Sequence, residues 1–222
     1  MAMAQTAGKT DEAGKAAAQS RRAFWLKHLH QWHWISSALC LIAMLGFAIT
    51  GITLNHAGAI EAKPVVTEYR ATLPEPLRPV LSAVDGDAKP APPVPDAVAE
   101  WLGDTMGVDV AGRTVEWSAD ELYVSLPRPG GDAWLSIDRE TGEALHEVTD
   151  RGWVSYFNDL HKGRNTGAAW SWFIDIAAIA CLVFCVTGLF LLQMHARNRP
   201  STWPVVGLGL VAPLLLMILL IH

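Results

Sequence analysis

Only three cysteines occur in the 222 residues, and Cys40, Cys181 and Cys185 all lie inside strongly apolar runs. The polar stretches hold none, which excludes a disulfide-stapled extracellular scaffold. No CxxC pair occurs and the cysteines lie in the apolar runs, so a zinc site of the soluble kind is not expected. A glycine-rich nucleotide loop, a serine or cysteine triad and a basic nucleic-acid surface are equally missing. Charge is scarce: Asp, Glu, Lys and Arg make up 18% of the chain, against 51% hydrophobic residues. That balance is too apolar for one ordinary soluble domain.

What is present is three long apolar runs, Trp34–Leu54, Phe173–Met194 and Trp203–Ile221. The first has no formal charge over 21 residues, the second only Asp175, and the third none over 19, although Pro204 and Pro213 interrupt it. As a helix, Phe173–Met194 reaches about 33 Å at 1.5 Å per residue, enough for a hydrocarbon core of roughly 30 Å. All three runs are predicted to be transmembrane helices. A signal peptide is not expected, because the first run starts behind a long polar lead and lacks a small-residue cleavage pattern.

Charge is also uneven. Residues 57–169 hold 19 Asp or Glu and 10 Lys or Arg, a net −9, whereas residues 1–33 carry Lys9, Lys15, Arg21, Arg22 and Lys27 against Asp11 and Glu12. The positive-inside rule then predicts a cytoplasmic N-terminus and an extracytoplasmic middle region. Arg197 and Arg199 agree, since they follow an even number of crossings. An acidic external face argues against nucleic acid as a partner.

Taken in order, residues 1–20 read as a disordered cytoplasmic tail, and 21–56 as an interfacial segment plus the first span. Residues 57–155 read as an extracytoplasmic module, 156–195 as a lead-in plus the second span, and 196–222 as a short loop plus the third. Within the module, PEPLRP and KPAPPVP make residues 57–100 a linker or set of irregular loops. Asp96 is expected to cap a short amphipathic helix. Arg113–Trp117, Leu122–Leu126, Ala133–Ile137 and Ala144–Val148 are predicted strands, with turns at Gly130–Gly131 and Asp138–Gly142. The fold class is a mainly α membrane protein with a small external α+β module.

Histidines flank the spans. His28, His30 and His33 crowd the entrance to the first, and His56 follows its exit, about 34 Å from His33 along an ideal helix. His161 precedes the second span and His195 ends it. Because these helices run in opposite directions, His33 and His195 should share one membrane face, and His56 and His161 the other. Two imidazoles from different helices at one depth suit axial ligation of a haem in a dry pocket. Lys162 and Arg164 outside, with Arg197 and Arg199 inside, suit its propionates. Interfacial histidines that snorkel to water, or a transition-metal site, fit the same residues. The bland reading of Cys181 and Cys185, four apart, is small core residues.

The run RETGEALHEVTDRGWVSYFNDLHKGR, the apolar helix after it and the entrance LHQWHW resemble the PepSY-associated transmembrane helix family over most of residues 25–200. That resemblance implies a bacterial inner-membrane protein with a periplasmic PepSY-like helix-and-sheet module. Larger members resemble PepSY-type ferric-siderophore reductases that carry electrons through haem held by membrane histidines. By that likeness His33, His56, His161 and His195 would hold one or two haem b groups. The chain would then be a membrane ferric reductase or its electron-transfer subunit, with a quinone or redox partner as donor and ferric iron or a ferric chelate as acceptor. The alternative is a non-catalytic membrane-anchored PepSY binding or regulatory, chaperone-like module. Three spans are few around a haem, which points to a homodimer or a partner subunit. Thr166-Gly167-Ala168-Ala169 is similar to a covalent-flavin acceptor pattern, but Ala stands at the acceptor position 169.

Overall fold

A computed structural model describes residues 2–86 and 89–221. Three of its helices are long and apolar enough to cross a membrane: α1 (Ala2–Asn55), which meets that criterion over Gly14–Asn55, α5 (Gly167–His195) and α6 (Thr202–Leu220). Their large side chains, such as Ile42, Leu182 and Ile218, are exposed. That exposure is expected where hydrocarbon rather than water is the solvent. No break separates the expected tail, 1–20, from the span, because α1 is continuous from Ala2. The alanines at 2, 4, 7, 13 and 16–18 are the best helix formers, and extending an existing helix avoids the cost of nucleation. Pro213 lies inside α6.

The chain divides into two compact units, one of residues 1–45 and 175–222 and the other of residues 46–174. In the first, the buried residues Ser36 and Cys40 on α1 and Ala177 and Thr187 on α5 mark the helix–helix seam. His33, Ser36 and Cys40 are spaced three and four apart, and so are Ala177, Cys181, Phe184 and Gly188. These three-and-four steps keep the residues on one face of each helix. Gly188 in that row leaves room for the His33 ring of the facing helix.

The second unit contains an antiparallel five-stranded sheet: β1 (Val65–Thr72), β2 (Thr114–Trp117), β3 (Glu121–Ser125), β4 (Gly131–Asp138) and β5 (Glu143–Asp150). Its order is β1-β5-β4-β3-β2. Two short helices, α2 (Arg78–Ser82) and α3 (Asp96–Met106), supply Leu81, Val98 and Leu102 to a core with Leu122, Val124, Leu135, Ile137 and Ala144. Each fully buried Val, Leu or Ile side chain among them contributes roughly 1.5–3 kcal/mol.

The four expected strands are present within a few residues. The expected loop at 57–100 is corrected: it holds β1 and α2. Strand β1 is exposed along nearly its whole length, so it has no buried face to leave an alternating pattern in the sequence. Asp96 is not a side-chain cap. Pro95 holds the cap position, and Asp96, at the first helical position, acts on the helix dipole instead. Gly163 and Gly167 weaken a continuous helix, so the sequence predicts a bend or loop ahead of the second span, and an interruption is found there. Helix α4 (Trp153–Lys162) ends there with Gly163 left-handed, at φ 65°, and α5 starts at Gly167.

Candidate functional site

In the first unit His33 is held by α5. Its Nδ1 lies 3.0 Å from Thr187 Oγ1 and 3.2 Å from the Phe184 carbonyl, and its ring stacks on Phe184 at 4.5 Å. Gly188 makes room, since a Cβ there would sit 3.4 Å from His33 Cε1. Anchoring Nδ1 orients the ring, as outer partners do for ligating histidines. His195 bonds the Leu191 carbonyl through Nδ1 at 2.8 Å and meets His30 edge-on at 6.2 Å. His33 and His195 line one open groove of about 730 Å³, with Phe184, Cys185, Gly188 and Arg199 among its other walls. His195 lies seven residues beyond Gly188, two turns or about 10 Å along α5. The two rings therefore share a groove without facing each other at one level. The lining still fits the polarity of a haem: apolar walls, two imidazoles, and Arg199 for a carboxylate.

In the second unit His161 turns to α1. Its Nδ1 lies 2.7 Å from Thr50 Oγ1, and its ring packs edge-on against Phe47 and over Gly51. His56 is exposed and bonds its own helix at Ile52 O. The expected His56–His161 pair is thus not drawn together by side-chain contact, because each ring has a nearer partner. Thr53 adds a 2.7 Å hydroxyl bond to the buried Asn158. Lys162 is engaged with Asp159 at 3.1 Å, and Arg164 is exposed. Asp159 is itself buried and accepts the Gly130 backbone N–H at 2.9 Å. Among the described residues, no group of three or more His, Cys, Asp or Glu is placed to hold a metal ion.

The sheet offers a different site. Helices α2 and α3 cover one face, while the other carries Glu116, Tyr123, Trp134, Ser136, Leu145, Glu147, Glu68 and Arg70, none of them buried. Strand register sets Glu116 beside Tyr123, and Trp134 beside Glu147, which it bonds through Nε1 at 3.2 Å. Tyr123 and Trp134 stack at 6.0 Å. Desolvation pushes the Tyr123 phenol above its usual range, and Asp132, Glu116 and Glu121 push it further, so this aromatic pair lies in a negative field. The alternation of β3 and β4 placed these residues opposite the core, but only the register puts the two rings together.

Three membrane-spanning helices and a small α+β module with a five-stranded sheet define the class of protein. Residues 24–222 match the PepSY_TM-like family (PepSY_TM_like_2), and the chain belongs to it. No curated protein and no solved structure matches the chain.

Proposed function

We propose that this protein is a membrane-anchored PepSY module that binds, without catalysis, a basic segment of an extracytoplasmic protein and so regulates or chaperones it. The observation that carries this reading is the uncovered sheet face, with a Tyr123–Trp134 stack framed by Glu116, Glu121, Asp132 and Glu147. Aromatic faces and carboxylates together attract Lys and Arg side chains. The spans hold the module at the bilayer of a bacterial inner membrane, with the N-terminus in the cytoplasm.

Titrating a Lys/Arg-rich peptide into the full chain in nanodiscs tests it, read by Trp fluorescence. Saturable binding that weakens with salt, and is lost in Trp134→Ala and Glu116→Gln/Glu121→Gln, is the expected result. Binding unaffected by these changes would refute it.

A second reading is a haem b electron-transfer protein serving ferric iron or ferric-siderophore reduction, alone or with a redox partner. The groove lined by His33, His195 and Arg199 favours it. There His33 or His195 would ligate the iron and Arg199 would take a propionate, and the haem would supply one-electron transfer. At the other face His161 and His56 are the candidate ligands, with Lys162 and Arg164 beside them. Protein purified from haem-replete cells should then show a b-type α band on dithionite reduction, lost in His33→Ala. A colourless preparation would exclude this reading and leave the binding module.

A further inference from the structure

The two edges of the sheet differ. Strand β2 has four residues, whereas β1 has eight and leaves Val65, Val66 and Tyr69 more than half exposed. A long edge with exposed apolar side chains invites another strand, and native proteins commonly shorten, charge or cover such edges. The ladder fixes which groups of β1 point outward. Leu73 N–H bonds the Gly142 carbonyl at 2.8 Å, so alternation turns the main chain of Thr67, Tyr69 and Ala71 toward β5. The far side of β5 agrees: Arg151 N–H bonds the Gly130 carbonyl, which leaves Ala144, His146 and Val148 facing β1. Val66, Glu68, Arg70 and Thr72 therefore aim their N–H and C=O groups away from the sheet. Pro64 and Pro74 are in step with them, each five positions from Tyr69. They bound the row and have no N–H to donate.

This edge is complementary to itself in one register. Set antiparallel to a second copy with Tyr69 opposite the partner's Tyr69, Glu68 faces the partner's Arg70 and Val66 faces the partner's Thr72. The prolines then meet at both ends, and every outward N–H between them has a carbonyl. Sliding the copy by two residues sets Glu68 against the partner's Glu68, or Arg70 against the partner's Arg70. It also brings a proline opposite Thr72 or Val66, where a hydrogen bond is lost. Like charges directly opposite destabilise a strand pair, and opposite charges stabilise it. Within the chain Arg70 already reaches Glu68 at 2.8 Å, so both side chains lie on one face. Tyr69 lies on the other face, its ring stacked on His146 at 5.7 Å. We infer that β1 pairs with β1 of a second copy of this chain, centred on Tyr69, joining two five-stranded sheets into one. An unrelated strand would not call for charges and prolines balanced about a single residue.

The test uses the full chain in membranes. With the three native cysteines replaced by serine, Tyr69→Cys should give a disulfide-linked dimer on mild oxidation, because a non-hydrogen-bonded antiparallel pair has the spacing a disulfide needs. Thr67→Cys alone should not, since its two copies would lie four residues, about 14 Å, apart along the strands. Thr67→Cys/Ala71→Cys should cross-link again. In the chain with its native cysteines, two differently tagged copies should co-purify. Glu68→Arg should abolish this, and Glu68→Arg/Arg70→Glu should restore it, which a merely misfolded variant would not do. Co-purification unchanged in Glu68→Arg, or not restored by the double exchange, would overturn the inference. So would a Tyr69→Cys dimer yield no greater than that of Glu140→Cys, or a chain that stays monomeric and takes up an unrelated extended peptide at β1.

Discussion

His146 is the residue whose placement most directly couples the module to pH. It lies on β5 beside Leu135 of β4 and Tyr69 of β1, whose ring stacks on it at 5.7 Å. Its Nδ1 is buried without a hydrogen-bond partner. Desolvation holds its pKa below the usual imidazole range. The folded module therefore prefers neutral His146. As pH falls through the unfolded value of about 6.5, the unfolded chain takes up the proton first and stability drops. The loss levels off once pH passes below the depressed folded value. Denaturant titrations of the full chain between pH 7.5 and 5 should show this decline, and His146→Gln should flatten it. An unchanged slope in the variant would assign the decline to other groups.

At the scale of elements, α4 is tied to the β3–β4 turn through one buried carboxylate. Asp159 accepts the Gly130 N–H, and Gly130 is left-handed at φ 76°. A Cβ on Gly130 would lie 2.7 Å from Tyr156 Cβ and 2.8 Å from Tyr156 Cα, so the helix sits directly on the turn. Asp159→Ala would strand the buried N–H at a cost of about 1–3 kcal/mol. Gly130→Ala adds backbone strain of about 1–3 kcal/mol to the clash. Both variants should speed amide hydrogen exchange across α4 and the β3–β4 turn while sparing α6. Equal acceleration in α6 would show that the lesion is not local.

For the whole molecule, the charge map carries a prediction of which side each region faces. The basic lead before α1 and Arg197 and Arg199 after α5 favour the cytoplasm, and the acidic module favours the outside. In a background without the native cysteines, Glu140→Cys in the exposed β4–β5 turn should react with a membrane-impermeant maleimide on intact spheroplasts. Labelling only after lysis would reverse the orientation. The Pro-rich stretch near Pro92 is a poorer protease target than its composition suggests, because Trp117 Nε1 bonds the Pro92 carbonyl at 2.8 Å and Val94 is buried.

The residues alone determined the three spans, four of the five strands, the α3 helix and the break before α5. Each depends on a local property: transfer of apolar side chains accumulates along one helix, and alternation and turn glycines mark strands. Tertiary structure decided what local properties do not encode. Strand β1 exists because β5 offers it an edge to pair with. Single sequence positions put the boundary histidines at the ends of the apolar helices, but the ring partners of His33, His161 and His195 are Thr187, Thr50 and His30. Side-chain direction around a helix and the stagger between two helices set those contacts, and neither is carried by spacing along one chain.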